Sequence, residues 1–241
     1  MDWTAPPAEP RLPRDEIHLW RASLDSERSL TRRLEAALTD DELARASRFV
    51  FPRDRDRFMT GRGILRDILA RYLGRPAAAI RFMYEPAGKP RLHLRDGDPL
   101  IRFNLSHSHG LAVFAVSHDR EVGVDVEANR ANVAGDDIAE RFFSVRELAE
   151  LRSLPPDRRD EGFLLCWSRK EAYIKARGAG LGIPLDSFDV SLTPGMPAEL
   201  SSADDGRWTL GSFRPADGYA GAVVAEGRDW GLRLWDWTSA T

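Results

Sequence analysis

Residues 166–180 read CWSRKEAYIKARGAG. The loop Leu154–Asp157 (LPPD) precedes this stretch, and the glycines Gly178 and Gly180 close it. Between loop and glycines there is room for about five helical turns, with no proline inside and Gly162 as the one internal glycine. Trp167, Glu171 and Lys175 fall at i, i+4 and i+8 and therefore share one face of that helix. A carboxylate set between a tryptophan and a lysine on one stripe suits a position beside a phosphate. The alternative is a solvated Glu–Lys pair, worth only ~0.3–0.5 kcal/mol on a surface helix. The rest of the chain decides between them.

Upstream, residues 122–127 read VGVDVE. With a period of two, Val122, Val124 and Val126 point to a core while Asp125 and Glu127 share the opposite face. Neighbouring carboxylates repel each other unless a proton or a cation lies between them. The segment has no Lys or Arg to supply that charge. Either the face is washed by solvent, or the pair holds a hard divalent cation, Mg²⁺ or Mn²⁺, with Glu171 as a third acid.

Further upstream, Asn104-Leu105-Ser106-His107-Ser108-His109-Gly110 ends an alternating strand on hydroxyls and imidazoles, groups that grip phosphate. His107-x-His109 also raises a transition-metal site, but the chain holds only five histidines and its acids offer oxygen ligands instead. No G-x-S-x-G elbow, P-loop or G-x-G-x-x-G fingerprint occurs. Of 35 basic residues only Lys89, Lys170 and Lys175 are lysines. Arginine serves wherever a generic positive charge suffices, so positions that keep the compact ammonium are candidates for needing a point charge. Two of the three lie in the helix quoted first, the third in a Gly-Lys-Pro turn.

The composition, 42% hydrophobic and 30% charged over 241 residues, is that of a soluble globular protein with a substantial core. No apolar run approaches the ~18 residues of a membrane span, and the N-terminus lacks an apolar signal core. The single cysteine, Cys166, excludes an internal disulfide and fits a reducing cytoplasm; beside Trp167 it reads as a small packed residue. A net charge of -3 gives no reason to expect nucleic acid as a partner.

In chain order, a Pro-rich arm over residues 1 to about 14 leads to a strand, EIHLWRASL, and a helix over Ser29–Leu38. A capping box at Thr39–Glu42 opens a helix to about Phe49, and Pro52 opens a longer one ending at Gly74. The arginines Arg55, Arg62 and Arg66 of that helix read mainly as a solvated face. Strands follow at Ile80–Tyr84, Ile101–Leu105, Leu111–Val116 and Val122–Glu127, then a Gly/Asn loop and two helices, the second capped at Ser144–Glu147. After the long helix come strands near Phe188–Leu192, Trp208–Phe213, Tyr219–Ala225 and Leu232–Trp235. No sequence repeat proves a duplication, but the pattern is compatible with an α+β protein of two halves, residues 1–118 and 119–241, meeting at a cleft.

Taken together, the ordered motifs GKP (Gly88–Pro90), FNLSHS (Phe103–Ser108), VGVDVE (Val122–Glu127), RFFS with Glu147, and WSRKEAYIKARGAGL (Trp167–Leu181) resemble the 4'-phosphopantetheinyl transferases. The match is to the larger single-chain, Sfp-type class and spans roughly residues 39 to 192, with a weaker likeness around Arg45–Phe49 and Gly61-Arg62. Each motif is common alone, whereas the ordered set is highly specific. The resemblance implies a monomeric pseudo-dimer of two similar α+β halves with coenzyme A in the cleft. Asp125, Glu127 and Glu171 match the metal-binding acids that hold Mg²⁺ against the pyrophosphate. Lys89, Ser106 and His107 match contacts to the nucleotide and its 3'-phosphate, with Arg45 a further basic contact. Gly88, Pro90 and Asn104, with Lys170 and Lys175, complete the coenzyme A contacts; Lys175 sits near the scissile pyrophosphate. Departures are His109, where a smaller residue is expected, and Glu85-Pro86, where polar or basic residues are common.

The expected reaction moves the 4'-phosphopantetheine arm of coenzyme A to a serine of an apo acyl or peptidyl carrier protein and releases 3',5'-ADP. Glu171, directly or through a metal-bound water, is the candidate for taking the serine proton, and Lys175 for neutralising phosphate charge. Residues 141–177 carry nine Lys/Arg against six Asp/Glu, a tract that either steers an acidic carrier or forms ordinary mixed-charge helices. Competing readings are a metal-dependent nucleotide phosphohydrolase using the same acids and a non-catalytic binding module, which would be expected to lack one of the three.

Overall fold

Glu16–Ser23 (β1) is a strand whose two faces are both apolar, and that pattern explains the architecture. His18, Trp20 and Ala22 point one way while Ile17 and Leu19 point the other, and all five are buried. A strand buried on both faces needs a layer on each side. The computed structural model describes residues 2–129, 136–178, 180–204 and 206–238.

The remaining elements are α1 (Arg28–Glu35), α2 (Asp40–Ala46), α3 (Pro52–Leu73), β2 (Phe82–Tyr84), β3 (Pro90–Leu92), β4 (Ile101–Ser108), β5 (Leu111–His118), β6 (Val122–Ala128), α4 (Asp136–Phe142), α5 (Val145–Ser153), α6 (Arg159–Arg177), β7 (Asp189–Val190), β8 (Leu200–Ser201), β9 (Trp208–Phe213), β10 (Tyr219–Glu226) and β11 (Gly231–Asp236). Two sheets dominate: one of order β11-β1-β5-β4, the other β6-β10-β9. Each has a three-stranded antiparallel core and one long helix against its outer face, α3 on the first and α6 on the second. The chain is thus α+β and built from two similar halves, as expected.

Three apolar clusters mark the layers. Ile64, Leu65, Ile68 and Leu69 of α3 pack on Trp20, Phe103 and Phe114. Tyr173, Ile174 and Ala176 of α6 pack with Ala222, Val224 and Leu210. Between the sheets, Ile17, Leu19, Val113 and Ala115 meet Val122, Val124, Val126, Val223 and Ala225, all fully buried. Burying Val, Ile and Leu at about 1.5–3 kcal/mol each makes this sandwiched layer the main bond between the halves. With the valines of β6 turned to that layer, Asp125 faces α6.

The helices end where their sequences say. Pro52 occupies the first turn of α3, and the left-handed glycines Gly74 (φ 58°) and Gly178 (φ 65°) close α3 and α6. Both expected capping boxes are present, at Thr39–Glu42 and Ser144–Glu147. Other expectations need correction. The helix opened at Thr39 stops at Ala46, and the strands expected at 80–84 and 188–192 shrink to Phe82–Tyr84 and Asp189–Val190. Most of the expected Gly/Asn loop, residues 130–135, lies outside the described residues. The last strand, β11, pairs in parallel with β1, so the chain returns after residue 230 to the sheet of the first half.

Arg66 is no part of a solvated face. It is 1% exposed, and it donates to the equally buried Glu42 at 2.8 Å and to the Ile80 carbonyl at 2.9 Å. Arg62 reaches the same carboxylate at 2.6 Å. The acid that closes the capping box of α2 also ties that helix to α3. Among the described residues no helix is long and apolar enough to cross a membrane.

Candidate active site

The two sheets approach each other where β4, the edge of the first, runs beside β6, the edge of the second, with α6 lying over β6. That crossing is close because residue 123 is a glycine: a Cβ there would stand 2.2 Å from the Ala172 carbonyl oxygen and 2.2 Å from the Ala176 nitrogen. The helix therefore rests directly on the strand and carries Glu171 and Lys175 to its neighbour Asp125.

Lys175 Nζ donates to Asp125 Oδ1 at 2.6 Å and to Ser106 Oγ at 3.1 Å, and Ser106 Oγ donates to the same carboxylate oxygen at 2.8 Å. Asp125 is 3% exposed, and its second oxygen, Oδ2, is buried with no hydrogen-bond donor. Ser108 Oγ donates to Glu127 Oε2 at 3.0 Å. Burial raises the Glu171 carboxyl above the ordinary range; Lys175 opposes the rise and the Asp125 charge adds to it. The structure thus brings Asp125, Glu171 and Lys175 within electrostatic reach of one another, with Glu127 two residues along β6.

Among the described residues no three acidic, histidine or cysteine side chains already form a metal cage; the Lys175 ammonium is the cation that balances Asp125. The residues nonetheless fit a hard divalent ion. All three acids offer oxygen, and Asp125 Oδ2 is a buried acceptor without a partner.

A cavity of about 660 Å³, within the range of small-molecule sites, opens beside Glu127, the one of the three acids that lines it. Arg45, Gly88, Pro90, His107 and Glu127 line it, so these sequence-identified residues do come together. Arg45 lies 5.3 Å from the Phe58 ring and has no carboxylate partner among the described residues, which leaves its charge for a ligand. Burial lowers the His107 imidazole below its ordinary value, with Lys175 and Arg57 acting in the same direction. His109 holds the left-handed turn between β4 and β5 (φ 55°) and also lines the cavity.

Five other expected contacts, Lys175 at Asp125 among them, do not line the cavity. Lys89 turns inward and donates to Glu121 Oε2, the Val122 carbonyl and the Ala176 carbonyl, each at 3.1 Å. It staples the Gly-Lys-Pro turn to β6 and to the end of α6; burial lowers its ammonium pKa, against the pull of Glu121. Asn104 is buried and accepts from the Val124 nitrogen at 2.9 Å. Ser106 is committed to Asp125 and Lys175, as described.

Lys170 is fully buried. Its ammonium meets Glu147 at 2.7 Å and the carbonyls of Leu185 and Phe188 at 2.6 and 2.7 Å. It is therefore a structural lysine, not a coenzyme A contact. Five residues from Lys175, it points about 140° away around the helix. Replacing Lys170 by Met should lower stability by about 3 kcal/mol, because the buried Glu147 charge loses its partner. Urea unfolding monitored by circular dichroism checks this, and an unchanged midpoint would contradict it.

The sequence reading missed Arg57, Phe49, Phe58 and Tyr84 as cavity residues. A signal existed, since Asp54, Phe58, Gly61 and Leu65 recur at helical spacing along α3 and all line the cavity. Arg57 is held by Asp25 through two bonds of 2.8 and 2.7 Å. Cys166 is buried, and burial pushes its thiol well above the ordinary value, as suits a packed residue. In the basic tract 141–177, Arg141, Arg146 and Arg159 are exposed. Arg169 and Lys170 are buried, and Arg152, Arg158, Lys175 and Arg177 each pair with an acid.

Two family profiles cover most of the chain. One, described as "4'-phosphopantetheinyl transferase, N-terminal", matches residues 19–119; the other, "4'-phosphopantetheinyl transferase superfamily", matches residues 121–224. The 4'-phosphopantetheinyl transferase HetI of Nostoc sp. (strain PCC 7120) is 43% identical over 233 residues, 97% of each chain. The 4'-phosphopantetheinyl transferase Sfp of Bacillus subtilis (strain 168) is 32% identical over 66% of this chain and 69% of its own. Among solved structures, a holo-(acyl-carrier-protein) synthase from Bacillus anthracis aligns with 45% of this chain and 96% of its own, at a TM-score of 0.39 and 23% identity. The chain belongs to the 4'-phosphopantetheinyl transferase family. Within that family it is an enzyme of the Sfp-type, single-chain class.

Proposed function

We propose that the protein transfers the 4'-phosphopantetheine arm of coenzyme A to a serine hydroxyl of an apo acyl or peptidyl carrier protein, and that it works in the cytoplasm as a monomer. The observation that carries this reading is the junction of β4, β6 and α6, where Asp125, Glu171 and Lys175 converge beside a cavity lined by Arg45 and His107. The cavity takes the nucleotide end of coenzyme A, with Arg45 and His107 toward its phosphates and Gly88 and Pro90 walling it. Asp125, Glu127 and Glu171 would hold Mg²⁺, or Mn²⁺ in its place, and such an ion supplies neutralisation of charge on the diphosphate.

The serine oxygen attacks the phosphorus that bears the pantetheine arm, and the bond from that phosphorus to the bridging oxygen breaks. The electron pair leaves with 3',5'-ADP. Glu171 accepts the serine proton; burial already gives its carboxyl a raised proton affinity, which suits a base more than a spectator carboxylate does. Lys175 offsets charge on the phosphates. Little covalent help is needed, because phosphoryl chemistry depends mainly on positioning and charge.

Incubating the protein with coenzyme A, Mg²⁺ and a panel of apo carrier proteins, followed by mass spectrometry, tests the reading. Gain of one arm on a carrier serine is expected. Loss of coenzyme A without any carrier present would favour a phosphohydrolase using the same acids.

A further inference from the structure

The two halves meet at strand edges, yet β4 and β6 share no backbone ladder; β4 pairs with β5 and β6 with β10. Side chains bridge the gap instead. Asn104 Oδ1 accepts from the Val124 nitrogen at 2.9 Å, Ser106 Oγ donates to Asp125 at 2.8 Å, and Ser108 Oγ donates to Glu127 Oε2 at 3.0 Å while accepting from the Ala128 nitrogen at 3.2 Å. Residues 104, 106 and 108 alternate along β4, so all three project from the face turned away from α3. Their partners lie 19 or 20 positions further on, so the bonds step along both strands together and hold them side by side.

Ser106 has a further duty, toward Lys175. Ser108 has none: both of its bonds end on β6. A serine hydroxyl carries one proton. Because Ser108 Oγ accepts from the Ala128 nitrogen, its proton is aimed along the remaining direction, at Glu127. Glu127 stands half-buried at the cavity wall, on a side chain with several rotamers, and this bond selects one of them.

We infer that Ser108 is a positioning residue that fixes the Glu127 carboxylate for metal binding, the last rung of a side-chain ladder that registers one half against the other. The inference rests on the proposed metal role of Glu127. Carboxylates that ligate metals are themselves oriented by hydrogen bonds, and losing such a partner weakens metal binding about 10–100-fold.

The test compares wild type, Ser108→Ala and Ser108→Thr for Mn²⁺ affinity in the presence of coenzyme A, read by electron paramagnetic resonance, together with Tm. Ser108→Ala should bind Mn²⁺ about 10–100-fold more weakly while its Tm moves by no more than about 4 °C, and Ser108→Thr, which keeps the hydroxyl, should restore affinity. Wild-type Mn²⁺ affinity in Ser108→Ala, or a threonine variant as weak as the alanine one, would overturn the positioning role alone. A wild-type protein that binds no Mn²⁺ would sink the metal assignment first.

Discussion

Replacing Asp125 by Ala should abolish transfer to every carrier protein, a loss on the order of 10³-fold or more, equivalent to about 4 kcal/mol of barrier. Asp125 is the point through which the proposed site is wired. It takes a hydrogen bond from Ser106, balances Lys175 at 2.6 Å, and keeps one buried oxygen without a donor. Removing it leaves the Lys175 ammonium without its carboxylate and takes away an acid that would hold a divalent ion. Glu171→Ala should fail as completely for a different reason, since it deletes the proposed base. The two variants should separate in stability. Burial disfavours the charge of Glu171, so its removal should leave Tm unchanged or slightly higher, whereas Asp125→Ala loses two charge-assisted hydrogen bonds. Single-turnover transfer measured alongside thermal unfolding reads both quantities. Wild-type-like turnover in either variant would refute the assignment.

Gly123→Val should unfold much of the population, at a cost on the order of 5 kcal/mol. Most overpacking substitutions cost ~1–3 kcal/mol because side chains shift to make room. Here the obstructing atoms are the backbone oxygen of Ala172 and the backbone nitrogen of Ala176, each 2.2 Å from the new Cβ, and a helix backbone cannot turn aside as a side chain does. Relief requires lifting α6 off β6, which opens the second core and moves Glu171 and Lys175 away from Asp125. For a chain of this length Tm should fall by roughly 10–20 °C. A variant melting within a few degrees of wild type would show that the crossing is not held by this contact. The glycine of VGVDVE thus has a physical explanation independent of any ligand: it sets the helix–strand distance on which the acidic site depends.

Much of the fold was legible because its signals are local. Pro52, Gly74, Thr39–Glu42 and Ser144–Glu147 act through nearest turns, and the helices begin or end at them. The alternation in VGVDVE assigned Asp125 to the face opposite the valines, and the i, i+4 spacing of Glu171 and Lys175 put both on one stripe of α6. Where the reading erred, the cause was long-range. Arg66 was read as solvated because nothing near it in sequence announces Glu42, twenty-four residues earlier, as its buried partner. Lys89 and Lys170 were marked as rare lysines and credited to a ligand. Both are rare because a buried ammonium meeting a carboxylate and two carbonyls needs a compact point charge, which a structural role requires as much as a phosphate does.

By itself the sequence determined the helices and the longer strands, their order, the pairing of Asp125 with Glu127 on one strand face, and the family to which the ordered motifs point. Those follow from period, cap chemistry and residue type, which are properties of short stretches. Only the tertiary structure decided that β11 closes the first sheet, that Asn104, Ser106 and Ser108 bridge two strand edges, and that Lys175 rather than Lys170 or Lys89 stands at Asp125. A polar side chain's role depends on which donors and acceptors the folded chain brings within about 3 Å of it, and residues tens of positions away supply them.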